Sequence, residues 1–298
     1  MMALREPVAE RTDAALHVMP GGASAEPRTV VIEPSRGFVR LGLGDLWQYR
    51  DLLYILAWRD VKVRYKQTVL GAGWAIVQPV FNMLIFTFIF GRVAHLPSDG
   101  VPYALFTLAA LLPWTYFSYV LMQSGESLVE NARMITKVYF PRLVLPISAA
   151  LAGLIDLGIS FVLLIGMMLF FHVQPGLGLL LLPFFLLLSV ATALSVGIWL
   201  SALNVRYRDV RYTLPFLSQV LLYLSPVAYS AGLVKGHLAV LYMLNPMVGV
   251  IDGFRWALLG RGNLPWLPVL FSMVTTSLIL TSGLVYFRRM EQTFADLV

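Results

Sequence analysis

The lysines of this chain bear directly on whether it could bind a nucleotide. There are four, Lys62, Lys66, Lys137 and Lys235, and none of them is followed by serine or threonine. A P-loop needs a Lys-Ser or Lys-Thr pair, because the lysine reaches the phosphates and the hydroxyl holds magnesium. The sequence therefore predicts that this chain binds no ATP through a Walker motif of its own.

The histidines are too scattered for a catalytic or metal centre. All four lie outside the centres of the apolar segments: His17, His95, His172 and His237. A membrane Ser–His protease would therefore lack its base. The chain also has no cysteine and no His-Glu-x-x-His motif to supply zinc ligands. We expect no catalytic residue, no metal and no cofactor in this chain.

Polar residues inside apolar segments form a further set of candidates, because such residues are costly in a membrane and usually face protein or water. Gln78 and Asn82 are four residues apart, so they share one helix face and could line a passage. Asp156 and Gln219 are the other candidates. For Asp156 we favour a hydrogen-bonded contact between helices over a proton-carrying site.

Composition defines the class of protein that must position these residues. Of the 298 residues, 58% are hydrophobic and 13% are charged. An average soluble domain has about 25% charged residues, so a single water-soluble domain is excluded and an integral membrane protein is expected. The net charge of +6 could suggest nucleic acid. Basic cytoplasmic loops explain it better, and we expect no nucleic-acid partner.

Six apolar segments are long enough to cross a bilayer, which takes about 20 residues of helix. They lie at about 72–91, 101–122, 143–171, 177–203, 213–233 and 266–287. With these six spans, 18 of the 22 Lys and Arg residues fall on one side of the membrane. By the positive-inside rule that side is the cytoplasm, and both termini lie there. The expected fold is an all-α integral membrane protein with six transmembrane helices.

Three further segments flank or follow the spans. Residues 1–40 are polar, lack the apolar core of a signal peptide, and are predicted to be a disordered cytoplasmic extension. Residues 45–68 are too polar to span and are predicted to form an interfacial amphipathic helix before the 72–287 span domain. Residues 288–298 form a cytoplasmic tail. The predicted apolar face of the interfacial helix comprises Leu46, Tyr49, Leu52, Leu53 and Leu56.

The last outer loop, 234–265, contains two short apolar runs separated by Asn245-Pro246. Runs of this length are too short to span and are typical of re-entrant or interfacial helices. Re-entrant backbone is tolerated only where protein or water surrounds it. We therefore expect this loop to cap the outer face, packed beside spans one and five.

Four ordered stretches resemble one family. They are Trp58-Arg59-Asp60-Val61-Lys62-Val63-Arg64-Tyr65-Lys66 with Leu70-Gly71, Trp74 and Pro79 after it; Asn131 to Arg142; Asn245-Pro246 with Arg255 downstream; and Phe287-Arg288-Arg289-Met290-Glu291 with Phe294-Ala295-Asp296. Together they resemble the permease subunit of ABC type-2 exporters that move polysaccharide, such as O-antigen and teichoic-acid exporters. The resemblance covers about residues 45–298.

The resemblance implies a homodimer of permeases in the inner membrane, with two separate ATP-binding subunits on the cytoplasmic side. ATP and magnesium would be held in those subunits, which agrees with the absence of a P-loop lysine here. It also implies a lipid-linked polysaccharide as the substrate. The chain itself would not be an enzyme.

The resemblance also assigns roles on the cytoplasmic side. A short amphipathic helix between spans two and three would contact the ATPase through Glu126, Glu130, Asn131, Arg133 and Lys137. The alternative is an ordinary solvated loop helix. The cationic end of the interfacial helix would meet membrane lipids or receive a pyrophosphate-linked head, through Trp58, Arg59, Lys62, Arg64 and Lys66. The alternative is simple anchoring of the protein.

Aromatic faces can stack on the apolar faces of sugar rings, although interfacial belts and ordinary packing also use aromatics. With the resemblance, the expected lining of a glycan channel is Gln78, Asn82, Phe86, Phe88, Tyr103, Trp114, Tyr116, Tyr223 and Tyr229. The expected outer gate comprises Asn245, Pro246, Arg255 and Trp256. Asp252 and Arg255 are three residues apart, so they can neutralise each other on one helix face.

Two other functions remain open. One is an ABC type-2 permease for a drug or small lipid. The other belongs to a different class, a membrane enzyme of glycan assembly such as a glycosyltransferase. That enzyme would need carboxylates at the membrane boundary to hold a metal and a nucleotide sugar, and no such cluster is evident.

Overall fold

The computed structural model describes residues 43–66, 73–291 and 294, and every regular element in that part of the chain is helical. The helices are α1 (Leu43–Gln48), α2 (Arg50–Lys66), α3 (Trp74–Phe86, continued by a π-helix, Thr87–Val93), α4 (Tyr103–Glu130), α5 (Ala132–Ile135), α6 (Val144–Phe170), α7 (Leu182–Arg206, after a 3-10 turn at Leu177–Leu181), α8 (Val210–Tyr223), α9 (His237–Met243), α10 (Pro246–Leu259) and α11 (Trp266–Glu291). The predicted extension over 1–40, Leu70-Gly71 and Ala295-Asp296 lie outside the described residues.

Five helices among the described residues are long and apolar enough to cross a membrane. They are Trp74–Val93, Tyr103–Glu130, Val144–Phe170, Leu177–Arg206 and Trp266–Glu291. These correspond to predicted spans one to four and six. The all-α, multi-pass architecture is therefore confirmed, and a further crossing depends on the bent pair α9 and α10.

The fifth predicted segment, 213–233, is not one helix. Its α-helical part is Val210–Tyr223, separated from a short 3-10 turn at Ala231–Leu233. The 14 residues of the α-helix rise about 21 Å, less than the bilayer's hydrocarbon core of about 30 Å. The helix stops just before Ser225-Pro226, because proline disfavours the helical conformation of the residue before it. Hydropathy alone does not register this break, since the residues beyond it are still apolar.

The predicted break at Asn245-Pro246 is present. The helices α9 and α10 meet there at an angle of 87°. The Asn245 side chain accepts a hydrogen bond from the Met247 backbone N–H at 3.0 Å, and Pro246 occupies the first helical position. An asparagine cap followed by proline is a favoured helix start, because the cap satisfies a free N–H and proline has none to satisfy.

The helix α4 is the centre of the bundle. Most of its residues from Leu105 to Leu128 are buried, and it packs against α3, α6, α7, α8 and α10. Close contact with α7 depends on Gly197, because a Cβ there would lie 2.8 Å from the Ser124 Cβ atom. In a membrane such close backbone approach is a main source of helix association.

The predicted apolar face of the interfacial helix turns toward the protein. Leu56 is buried, and Leu46, Tyr49, Leu52 and Leu53 pack on the same core as Leu128 and Leu143. The exposed side is mixed, because charged residues such as Arg59 and Lys62 lie among the exposed apolar residues Trp47, Tyr54, Ile55 and Trp58. The sequence pattern located one apolar face correctly but did not show that protein, rather than lipid, covers it.

Candidate functional site

A large cavity lies between α3, α4, α6 and α8, and we call it the main cavity. Its volume is about 710 Å³. Five of the residues predicted to line a passage are in its wall: Gln78, Asn82, Phe86, Trp114 and Tyr116. Asp156 and Gln219, the other polar residues noted within apolar segments, line it as well.

The wall of the main cavity combines amide and hydroxyl groups with aromatic rings. Gln78 and Asn82 line it from α3, one turn apart as predicted. Ser118 of α4 and Ser218 of α8 share a hydrogen bond of 2.7 Å between their hydroxyl oxygens. Pro79 has no N–H to donate to the carbonyl of Ala75, one helical turn earlier. The Ala75 carbonyl therefore lacks its usual helical partner, and Ala75 lines the same wall. Such a wall can form hydrogen bonds with hydroxyl-rich ligands.

Two of the aromatic wall residues are held firmly. Trp114 is 4% exposed and Tyr116 2% exposed, and the Tyr116 hydroxyl donates to the Ala150 carbonyl at 3.2 Å. The helix α6 approaches the Tyr119 ring closely at Gly153, because an added Cβ there would lie 2.6 Å from that ring. These rings are therefore fixed parts of the wall.

Four residues predicted to line the passage do not line the main cavity. Phe88 is 61% exposed on the π-helical end of α3. The Tyr103 hydroxyl donates to the Ala228 carbonyl, and its ring packs under Gly91. Tyr223 is exposed, and its carbonyl accepts a hydrogen bond of 3.0 Å from the Tyr229 hydroxyl. Periodicity could not separate these residues from those that line the main cavity, because both groups lie in apolar segments.

A cluster around Arg64 forms the end of the main cavity nearest α2. The Arg64 guanidinium pairs with Asp156 of α6, and the Tyr65 hydroxyl donates to the same carboxylate. The guanidinium carbon also lies 3.8 Å from the centre of the Tyr119 ring. The favoured role for Asp156, a contact between helices, is therefore present, with a cationic partner that the sequence assigned to a lipid head.

A second cavity of about 520 Å³ lies between α2, α4 and α6. Arg59 lines it and donates to the Asn131 side-chain oxygen at 3.0 Å, while its other nitrogens hold Asp60. Glu130 also lines this cavity. The predicted entrance residue Arg59 and the predicted coupling residue Asn131 are thus in direct contact.

The remaining entrance residues lie on the exposed side of α2. Trp58 is 45% exposed, and the Lys62 ammonium lies 5.7 Å from the centre of its ring. Lys66 is exposed at the end of α2. Tryptophan with a nearby cation is typical of a membrane–water interface.

The predicted coupling segment, Glu126 to Lys137, is not one separate helix. Glu126 and Glu130 belong to the last turns of α4, Asn131 breaks the helix, and Arg133 lies in the single turn α5. Glu126 pairs with Arg211 at 3.4 Å. Arg133 and Lys137 are exposed, beside the exposed apolar residues Val138 and Tyr139. A mixed charged and apolar apex of this kind suits docking to a partner protein.

The predicted gate residue Arg255 is buried inside the bundle. It donates to the Phe106, Val227 and Tyr229 carbonyls at 3.2, 2.8 and 3.1 Å. The predicted pair with Asp252 is present at 3.9 Å. Arg255 therefore ties α10 to α4 and to the turn after α8, and its side chain is not available at an exit.

The other gate residues anchor α10 too. The Asn245 amide donates to the Leu224 carbonyl at 3.0 Å and to the Ser225 hydroxyl at 2.9 Å. Trp256 is half-buried, and its ring contacts Gly178. The predicted packing beside the fifth segment is present, because Asn245 and Arg255 bond to backbone groups of residues 224–229. The main helix neighbours of α10 are α4, α7 and α11, however, and not α3, the predicted first span. Packing at the centre of the bundle buries the apolar surface of α10.

An apolar helical bundle with a polar, aromatic-walled cavity inside is the architecture of a multi-pass membrane protein. Within residues 43–66, 73–291 and 294, no group of three or more histidine and carboxylate side chains is placed to hold a metal ion. The sequence matches the ABC-2 type transporter family over residues 51–259, and the chain belongs to that family.

Several relatives have similar length. The chain is 28% identical over 238 residues to the O-antigen export system permease protein RfbA of Myxococcus xanthus, covering 79% of this chain and 90% of the relative. It is 26% identical over 262 residues to the protein of the same name from Klebsiella pneumoniae, covering 87% and 98%. It is 25% identical over 244 residues to the polysialic acid transport protein KpsM of Escherichia coli, covering 78% and 91%.

Proposed function

We propose that this chain is the transmembrane permease subunit of an ATP-driven exporter that carries a lipid-linked polysaccharide from the cytoplasm across the inner membrane. The observation that carries the proposal is the main cavity, whose wall presents amides, hydroxyls and fixed aromatic rings. Family membership and the names of the full-length relatives support the same class of substrate.

The chemistry of the main cavity favours a glycan over a drug or small lipid. Its volume of about 710 Å³ lies within the range of about 300–1,000 Å³ typical of ligand sites. An apolar ligand would leave Gln78, Asn82 and Gln219 without partners, which is unfavourable in a membrane. Sugar hydroxyls would satisfy these amides.

The partners follow from the same proposal. ATP hydrolysis takes place in separate subunits, because the lysines of this chain form no P-loop. The resemblance implies two such subunits, on the cytoplasmic side. Those subunits contact the apex formed by Arg133, Lys137, Val138 and Tyr139, which is charged and apolar together. A second copy of this chain completes the permease, with both termini in the cytoplasm.

The test compares export with and without the amides of α3. Cells lacking this chain should accumulate lipid-linked polysaccharide inside and lose it from the surface, and the wild-type gene should restore it. Replacing Gln78 and Asn82 together by leucine should lower export by about thirtyfold, since the two lost hydrogen bonds contribute about 1 kcal/mol each. The matched control is Leu84→Ala, an exposed position on the same helix.

Two outcomes would contradict the proposal. Unchanged surface polysaccharide in cells without this chain would exclude the polysaccharide-export function. If drug resistance or the distribution of a small lipid changed instead, the alternative type of permease would be supported.

A further inference from the structure

The two cavities share one wall. Arg64 and Tyr119 line both of them, and they are the two described residues common to both linings. Arg64 extends from α2 across the Tyr119 ring of α4 to Asp156 on α6. The side chains of three helices therefore meet at the boundary between the cavities.

The main cavity has few charged residues in its lining, whereas the second cavity has charged residues of both signs. Among the described residues that line the main cavity, Arg64 is the cation and Asp156 the carboxylate. The second cavity adds Arg59, Asp60 and Glu130, and Arg59 is already held by Asp60 and Asn131. An anion in the second cavity would therefore meet Arg64 as the guanidinium whose carboxylate partner it could replace.

We propose that Arg64 and Asp156 form a charge gate between the second cavity and the main cavity. The gate is closed while the two are paired, and it opens when a phosphate at the head of the substrate replaces Asp156 on Arg64. This inference rests on the proposed function for the direction of passage and for the nature of the substrate.

The groups at this wall are chemically suited to the exchange. A guanidinium binds phosphate through two parallel hydrogen bonds, so the replacement is chemically well matched. Asp156 keeps the Tyr65 hydroxyl as a donor after Arg64 departs. The Tyr119 ring, 3.8 Å from the guanidinium carbon, supports the cation from its face in either position. The pair is partly exposed, with side-chain exposures of 31% and 28%, so exchange does not require a charge to enter a dry interior.

The experiment measures access to the main cavity through this wall. The chain has no natural cysteine, so a single Ser218→Cys substitution places one thiol in the main cavity. The complex with its ATPase partner is studied in inverted membrane vesicles, and a membrane-impermeant maleimide is added to the cytoplasmic face. The background variants are Asp156→Asn, Arg64→Gln and both together, and the matched control is Arg50→Gln, a cation of the same helix that lines neither cavity.

Either single variant should raise the labelling rate by about tenfold, the factor that about 1.4 kcal/mol of lost pairing produces. The double variant should show no further increase, because both changes remove the same interaction. Arg50→Gln should leave the rate unchanged. Equal labelling in all backgrounds, or an equal increase in the control, would overturn the gate.

A second arm tests opening by an anion and does not depend on the neutral variants folding. A short-chain lipid diphosphate should accelerate labelling in the wild-type background. Inorganic pyrophosphate at the same concentration should do so as well if phosphate alone is recognised, and should fail if the lipid is required. Arg64→Lys keeps the charge pair but not the fork of two donors, so it should stay closed at rest and lose much of this response. An Arg64→Lys response equal to wild type would overturn the proposed exchange.

The gate and the proposed function can fail separately. If cells lacking this chain still export polysaccharide while labelling depends on Arg64 and Asp156, the gate stands and the proposed function fails. If export depends on the chain but labelling ignores both residues, the function stands and the gate fails.

Discussion

Arg255 should be one of the main determinants of the stability of this protein. Its side chain is buried and holds three backbone carbonyls, two of them in the non-helical turn after α8. It also neutralises Asp252 and lies 3.6 Å from the centre of the Phe106 ring. One side chain therefore connects α10 with α4 and with the turn after α8.

The magnitude follows from what Arg255→Ala leaves behind. Breaking a buried charge pair by removing one partner costs about 3–5 kcal/mol. Each buried carbonyl left without a donor costs about 1–3 kcal/mol, although water entering the vacated space would recover part of that. We expect a loss of about 5 kcal/mol in total, which corresponds to a fall of about 10 °C in Tm for a chain of this size.

The assay is thermal unfolding of the purified protein in detergent, followed by the loss of the monodisperse peak in size-exclusion chromatography. Arg261→Ala is the matched control, because Arg261 is exposed in the loop between α10 and α11. Combining Asp252→Asn with Arg255→Ala should recover part of the loss, since the unpaired carboxylate is then removed. A Tm for Arg255→Ala equal to that of Arg261→Ala would refute the assignment of Arg255 as a structural tie.

Three further predictions concern ATP hydrolysis, the contact with the ATPase subunit and the packing of α10. The chain purified alone in lipid should show no ATPase activity, and robust hydrolysis without a partner would contradict the permease-subunit assignment. Charge reversals Glu130→Lys and Arg133→Glu should uncouple transport or release the ATPase in co-purification while insertion stays normal; intact association and export in both would place the contact elsewhere. Gly253→Ala should lower Tm strongly, because the new Cβ would lie 2.2 Å from the Phe185 ring. Gly158→Ala on α6, where a Cβ has open space, should unfold like the wild type, and a similar loss in both would show that the contact is not responsible.

Much of the architecture follows from composition and hydropathy. The predicted spans one to four and six coincide with long apolar helices, because about 20 apolar residues must form a helix to satisfy their backbone in lipid. The Asn245-Pro246 break was also visible, since an asparagine cap and a proline act locally. The end of α8 was missed, because the apolar run continues beyond Ser225-Pro226 and hydropathy averages over the break.

Some features of the site were also predictable from the sequence, and others were not. The i, i+4 spacing of Gln78 and Asn82 was sufficient to place both on one wall, because helix geometry alone sets it. The partner of Asp156 was not predictable, since Arg64 lies 92 residues earlier and meets it only when α2 packs on α6. The buried position of Arg255 likewise depends on carbonyls from two other segments.

The sequence by itself determined that the chain is a helical membrane protein, where its main helices lie, and that it lacks a P-loop for ATP. The tertiary structure decided which apolar faces meet protein and which remain for lipid. The physical reason is that lipid tails are as apolar as a leucine-rich interior, so hydropathy separates both from water but not from each other. The inward face of α2 and the almost complete burial of α10 are the two clearest cases, and both depend on close packing that only the folded chain creates.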